Sequence, residues 1–166
     1  MTQTDSKHTR TFSWEDPRPL AEAGRNLSGL EFLQKIVAGE LSPPPMAALM
    51  NFDLAELQEG QATFSVKPAE YHYNPIGVVH GGLAMTLLDS AMGCAVHSTL
   101  PAGAMYTTLE TKVNFVRALT VETGRVRCEA KVIHVGGRTA TAEGRVLDEA
   151  GKLYAHGTTT CLILRS

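Results

Sequence analysis

An α+β fold in which one long helix is wrapped by a curved antiparallel sheet of about six strands is predicted by three observations. Leu83, Ala84, Met85, Leu87, Leu88, Ala91, Met92, Cys94, Ala95 and Val96 cover nearly the whole circumference of one helical run, so that helix must be buried on several sides. Six other stretches have strand composition and period-two patterning. Glycines stand at the returns between several of them, which favours antiparallel pairing.

Taken in order, residues 1–26 mix charge with Pro17, Pro19 and Gly24 and show no periodicity, which predicts a flexible or loosely docked arm before a single domain at 27–166. Ser28 caps a short covering helix to Ala38, with Leu30, Leu33, Ile36 and Val37 at helical spacing and Gly39 as its stop. Pro43-Pro44-Pro45 then breaks the chain. A hairpin follows from Phe52 to Leu57 and Gln61 to Lys67 around Gly60, and the central helix spans His80 to Leu100. Four further strands are expected over Tyr106–Val116, Glu122–His134, Arg138–Asp148 and Lys152–Leu164, with Gly136-Gly137 and Glu149-Ala150-Gly151 as tight returns. Alternation puts Leu109, Thr111, Val113 and Phe115 on a packed face and Thr108, Glu110, Lys112 and Asn114 on a polar one.

A chain of 166 residues with net charge −2 suits one domain and carries no basic footprint for nucleic acid or an anionic membrane. It has no apolar run of membrane-spanning length, and MTQTDSKHTR lacks the apolar core of a signal peptide, so a soluble, cytoplasmic protein is expected. Cys94, Cys128 and Cys161 are widely spaced and read as small apolar packing residues, not as a disulfide or zinc framework. The scattered histidines include no metal-binding pair, and no metal is expected.

Chemistry concentrates in NPIGVVHGGLAMTLLD, residues 74–89. A helix starting at Gly81-Gly82 offers unpaired N–H groups and a positive dipole end to a polarised oxygen, and a glycine there lets a substrate carbonyl approach the backbone. Two such donors suit a developing oxyanion, each contributing roughly 3–4 kcal/mol. Asp89 is a carboxylate in an apolar run, where burial without a partner costs several kcal/mol, so a role as general base or nucleophile is favoured. Asn74, in a turn with Pro75 and Gly77, could orient a carbonyl or a water.

The predicted architecture is that of the hotdog fold, and Asn74, Gly77, His80, Gly81, Gly82 and Asp89 stand at a spacing that resembles the phenylacetate-degradation-type hotdog acyl-CoA thioesterases. The resemblance extends through YTTLETKVNFVRALT and GRTATAEGRVLDEAGKLYAHGTTTCLI and covers roughly residues 28–164. It implies hydrolysis of an acyl- or aryl-CoA thioester to a carboxylate and free CoA, with no cofactor beyond the CoA of the substrate. It further implies that Asp89 activates water or attacks directly, that His80 braces its loop, and that a threonine on the next strand stands by the water. Thr108 is preferred to Thr107 because it keeps register with Glu110. Arg117 and Arg138 are candidates for the CoA phosphates.

Gly81 and Asp89 are eight positions apart, about 12 Å along one helix. One carbonyl cannot meet both from the same helix, so a homo-oligomer is predicted, at least a dimer with shared sites and beyond that a tetramer. His97 at the helix end fits the dipole without a further role. A Ser-His-Asp hydrolase lacks its G-x-S-x-G elbow here. A non-catalytic acyl-CoA binding module is the rival reading, and a hydratase is a weaker one.

Overall fold

The computed structural model describes residues 7–165. Three helices come first: α1 (Pro17–Asn26), α2 (Gly29–Val37) and α3 (Pro45–Met50). The hairpin β1 (Phe52–Gln58) and β2 (Gln61–Val66) precedes α4 (Gly81–His97), and β3 (Ala104–Phe115), β4 (Val126–Val135), β5 (Thr139–Asp148) and β6 (Leu153–Arg165) complete the sheet. The six strands run antiparallel in the order β1-β2-β4-β5-β6-β3, so the glycine-marked returns do make hairpins of β4, β5 and β6, while β3 comes back to pair with β6 at the edge.

The sheet wraps α4, the arrangement expected of a hotdog. Leu87, Leu88, Met92 and Val96 on the helix are fully buried with Val66, Val126, Val146 and Cys161 on the strands. The helix sits close because β5 and β6 present glycines beneath it: a Cβ at Gly144 would come 3.0 Å from Leu88 Cδ2. At its far end Ser98 Oγ donates to Ala95 O and accepts from Gly60 N at 2.8 Å, which ties the β1–β2 turn to the helix C-terminus.

The N-terminal arm differs from its expectation; its first six residues lie outside the described ones. Residues 17–26 form α1, capped by Asp16, whose side chain accepts from Arg18 N, with Pro17 in the first turn where its missing N–H is harmless. Ahead of it Arg10 donates to the carbonyls of Ala48 and Leu49 and lies 4.3 Å from the centre of the Tyr71 ring, which docks the irregular arm on α3. One arginine on helix-end carbonyls leaves no periodic trace in the sequence. The covering helix α2 has the full capping box, Ser28 with Glu31.

Two further differences bear on the site. The α4 face is not covered all round: Met85 is 44% exposed and Asp89 is exposed. In β3 a bulge between Thr108 and Glu110 sets Leu109 outside the alternation, where it is 58% exposed. Thr108 therefore shares the inward face with Thr111, not the outward one with Glu110. No helix among the described residues is long and apolar enough to cross a membrane.

Candidate active site

The loop before α4 is built around Asn74. Its Oδ1 accepts from Ile76 N at 3.1 Å and Val78 N at 3.3 Å, and its N–H donates to Val78 O at 2.8 Å. Gly77, at φ +82°, supplies the left-handed residue the turn requires. With Oδ1 committed to the turn, Nδ2 is the end of the amide left for other partners. The turn is held at the helix entrance by the Tyr73–Val79 bridge and by His80 N donating to His72 O at 2.8 Å.

His80 is the N-cap of α4, and its Nδ1 accepts from Gly82 N at 2.8 Å. The Gly82 N–H, expected as an oxyanion donor, is thus consumed by the cap. Gly81 N–H, one residue earlier, has no acceptor among the described residues and is the donor the first turn leaves open. A cavity of about 370 Å³ faces it, bordered by His80, Gly81, Ala84, Phe115 and Arg117. The Phe115 ring lies 3.1 Å from where a Gly81 Cβ would stand, so glycine leaves room for that ring beside the open amide.

Asp89 is held from β3. Thr108 Oγ1 donates to Asp89 Oδ1 at 3.0 Å and Thr111 Oγ1 to the same oxygen at 3.3 Å, and Oδ2 takes neither hydroxyl. Thr111 escaped the sequence reading, because strict alternation puts residues 108 and 111 on opposite faces and only the bulge at Leu109 aligns them. Thr107 is exposed. The burial expected for Asp89 is not supplied by its own chain, since it stands exposed where α4 meets β3, the edge strand of the sheet.

Nearby thiols are not nucleophiles. Burial, and then the charge of Asp89, pushes the Cys94 thiol up to about 12. Burial likewise raises Cys161 and Tyr106. All three cysteines are free, two of them buried.

Gly81 and Asp89 both lie on α4, about 12 Å apart along its axis, so one chain does not bring them to one atom. The two arginines are also separated. Arg117 borders the Gly81 cavity and donates to Leu153 O at 2.7 Å. Arg138 adjoins Ile163, and from residue 154 to residue 163 the sheet runs roughly 30 Å.

Known proteins resemble both sequence and fold. Residues 76–155 match the family model described as the thioesterase superfamily. A protein of Archaeoglobus fulgidus that bears an esterase name is 30% identical over 107 residues, 64% of this chain and 67% of that one. The 1,4-dihydroxy-2-naphthoyl-CoA hydrolase of Escherichia coli is 31% identical over 90 residues, 54% of this chain and 65% of that one. The solved structure of a conserved protein from Pseudomonas aeruginosa superposes with a TM-score of 0.70 at 35% identity, over 76% of this chain and 99% of that one. With a six-stranded sheet wrapped on one helix and a glycine-started helix entrance, the chain belongs to the thioesterase superfamily, as a thioester hydrolase of the hotdog fold.

Proposed function

We propose that this protein hydrolyses the thioester of an acyl- or aryl-coenzyme A, releasing a carboxylate and free CoA, at sites shared between two copies of the chain. The observation that carries this reading is the separation of its two half-sites, an open Gly81 amide and a threonine-held Asp89, on one helix. Two α4 helices running antiparallel past each other would bring Gly81 of one copy to Asp89 of the other.

In this mechanism the thioester oxygen accepts from Gly81 N–H, assisted by the α4 dipole and by Asn74 Nδ2. Asp89 of the opposing copy takes a proton from water as it adds to the carbonyl, and collapse expels the CoA thiolate, which is protonated; if Asp89 attacks the carbonyl itself, the same collapse leaves a mixed anhydride on Asp89, which water then hydrolyses to the product carboxylate and free Asp89. Thr108 and Thr111 hold Asp89 Oδ1, so that Oδ2 does the work. Gly82 serves through the cap with His80 and not as an oxyanion donor. Arg117 is the arginine assigned to the CoA phosphates, because it borders the Gly81 cavity.

Support for a second copy comes from β3, an edge strand, and from the exposed apolar side chains of Met85 on α4 and Leu109 on β3. The name of the E. coli relative, an aryl-CoA hydrolase, supports the choice of a CoA ester. Release of free thiol from a panel of acyl-CoAs, with wild type and Asp89→Ala at matched oligomeric state, tests the reading. Loss of roughly a thousandfold or more in kcat is expected. Equal rates would overturn the Asp89 mechanism, and no release from any acyl-CoA would overturn the substrate class.

A further inference from the structure

Beyond Asp89, helix α4 carries Gly93 and His97 at intervals of four, so the three lie on one stripe. Strand β3 runs beside that stripe, with Thr108 at Asp89 and Tyr106 the next inward residue. The Tyr106 hydroxyl fills the space a Cβ on Gly93 would need, and its ring stands 5.5 Å from the ring of His97. The stripe is open at Asp89 and roofed past Gly93.

The roof is the N-terminal segment. Gly29 N donates to Leu100 O at 2.9 Å, and the Phe32 ring lies 5.6 Å from that of His97, which fastens α2 over the end of α4. Beneath it is a cavity of about 590 Å³, with Leu20, Phe32 and Ile36 above and Cys94, His97 and Tyr106 below. That volume falls within the range of small-molecule sites. The roof residues precede the span that matches the thioesterase family, so the roof of this chamber is built by elements outside the matched span while its floor lies within it.

The floor residues Cys94, His97 and Tyr106 carry no charge, and Asp53 is the one acidic residue among the described residues of the lining. Burial holds the His97 imidazole below its ordinary range and the Cys94 thiol well above its own, so both are neutral near pH 7. From Asp89 to His97 is about 12 Å along the helix, and an extended chain gains ~3.6 Å per three bonds, so an acyl chain that followed the stripe past Tyr106 would take roughly ten bonds to reach the chamber floor.

We propose that this chamber receives the far end of the acyl group and selects uncharged chains of roughly eight to twelve carbons, with Leu20, Phe32 and Ile36 setting the length. The assignment rests on the thioesterase reading above. A carboxylate at the far end of the chain would find no cation among the described residues of that lining, only the neutral His97 and Tyr106 and the acidic Asp53, and would be rejected.

The test is kcat/KM across acetyl-, butyryl-, octanoyl-, decanoyl-, dodecanoyl- and palmitoyl-CoA, and for decanoyl-CoA against its ω-carboxylated counterpart, in wild type, Ile36→Trp and Leu20→Trp. The wild-type maximum is expected between octanoyl and dodecanoyl, about tenfold or more above butyryl, with the ω-carboxylated ester at least about tenfold below decanoyl. Either tryptophan variant moves the maximum to shorter chains, and the two sit on different helices so that a folding failure of one leaves the other. A flat profile, a maximum at acetyl, or a profile unchanged in the folded variants would overturn the proposal. Melting temperatures with free decanoate and butyrate separate the two readings. If no acyl-CoA is cleaved but decanoate alone raises the melting temperature, and Ile36→Trp or Leu20→Trp abolishes the rise, the hydrolase reading falls and the chamber stands; with no such rise the chamber falls too.

Discussion

Thr108 Oγ1 donates to Asp89 Oδ1 across 3.0 Å, from a strand whose register slips by one residue immediately afterwards. The slip expels Leu109 and delivers Thr111 to the same carboxylate oxygen. One oxygen is held by two hydroxyls, and in the proposed mechanism the other does the chemistry. The bulge is therefore a device that aims Asp89, and several consequences of the geometry can be measured.

Removing one hydroxyl should cost orientation and leave binding intact. Thr108→Val is expected to lower kcat by about tenfold with little change in KM, as befits one hydrogen bond of roughly 1–1.5 kcal/mol, and Thr108→Ser should recover most of the rate. Steady-state kinetics on one acyl-CoA decides this; an unchanged kcat in Thr108→Val would remove the threonine from the site.

His80 is assigned to structure by the bond from Gly82 N to its Nδ1. His80→Ala should lower unfolding free energy by about 1 kcal/mol, the usual worth of an N-cap, whereas His80→Asn should restore most of it. Urea titrations of the three proteins measure the difference. A catalytic loss in His80→Asn far beyond its stability loss would instead mark the ring as a participant.

Much of this was legible in the sequence where the signal is local. The Ser28–Glu31 capping box, the left-handed Gly60 between β1 and β2, and the helix entrance at His80-Gly81 are set by neighbours within a few residues. Alternation in β3 was readable on either side of Leu109 but not across it, because a bulge is defined by the partner strand. The exposure of Asp89 was hidden for a similar reason. A helix apolar on every side reads as buried on every side, and Met85 with its neighbours does not reveal that one stripe is left uncovered by its own sheet. Helix α1 left only Asp16 and Pro17 as a start signal, without periodicity to support it.

Stability should depend on pH through two buried histidines. Burial is the first cause that holds both His72 and His97 below the ordinary imidazole value of 6.5; at His72 the charge of Arg10 acts in the same direction. His72 also accepts Ala69 N on Nδ1, which a protonated ring could not do. In the unfolded chain both rings titrate near 6.5, so below that value the unfolded state binds more protons than the folded one, and stability is lost as pH falls toward the lower folded values. Urea midpoints should drop between about pH 7.5 and about pH 5.5, and His97→Phe, which also removes a buried Nε2 without a partner, should flatten part of that slope. A midpoint that holds or rises on acidification would contradict this.

The roof over α4 depends on a close approach. A Cβ on Gly29 would collide with the backbone carbonyl of His97, and neither atom belongs to a flexible side chain. Gly29→Ala should therefore lift α2 and destabilise the fold by roughly 2–4 kcal/mol, more than the loss of a surface contact would explain. Thermal unfolding checks this, and an unchanged melting temperature would mean that α2 is not fastened where the structure has it.

The central claim is that Gly81 and Asp89 act on one thioester from two chains, and mixed oligomers test it most directly. Asp89→Ala lacks the carboxylate, and Gly81→Val crowds the open amide against Phe115; each alone should be inactive. Co-refolded in equal amounts, half the dimers would be mixed and each would hold one intact site, so about a quarter of wild-type acyl-CoA hydrolysis should return. If mixing restores nothing while mixed dimers are present, the site lies within one chain and the account is wrong.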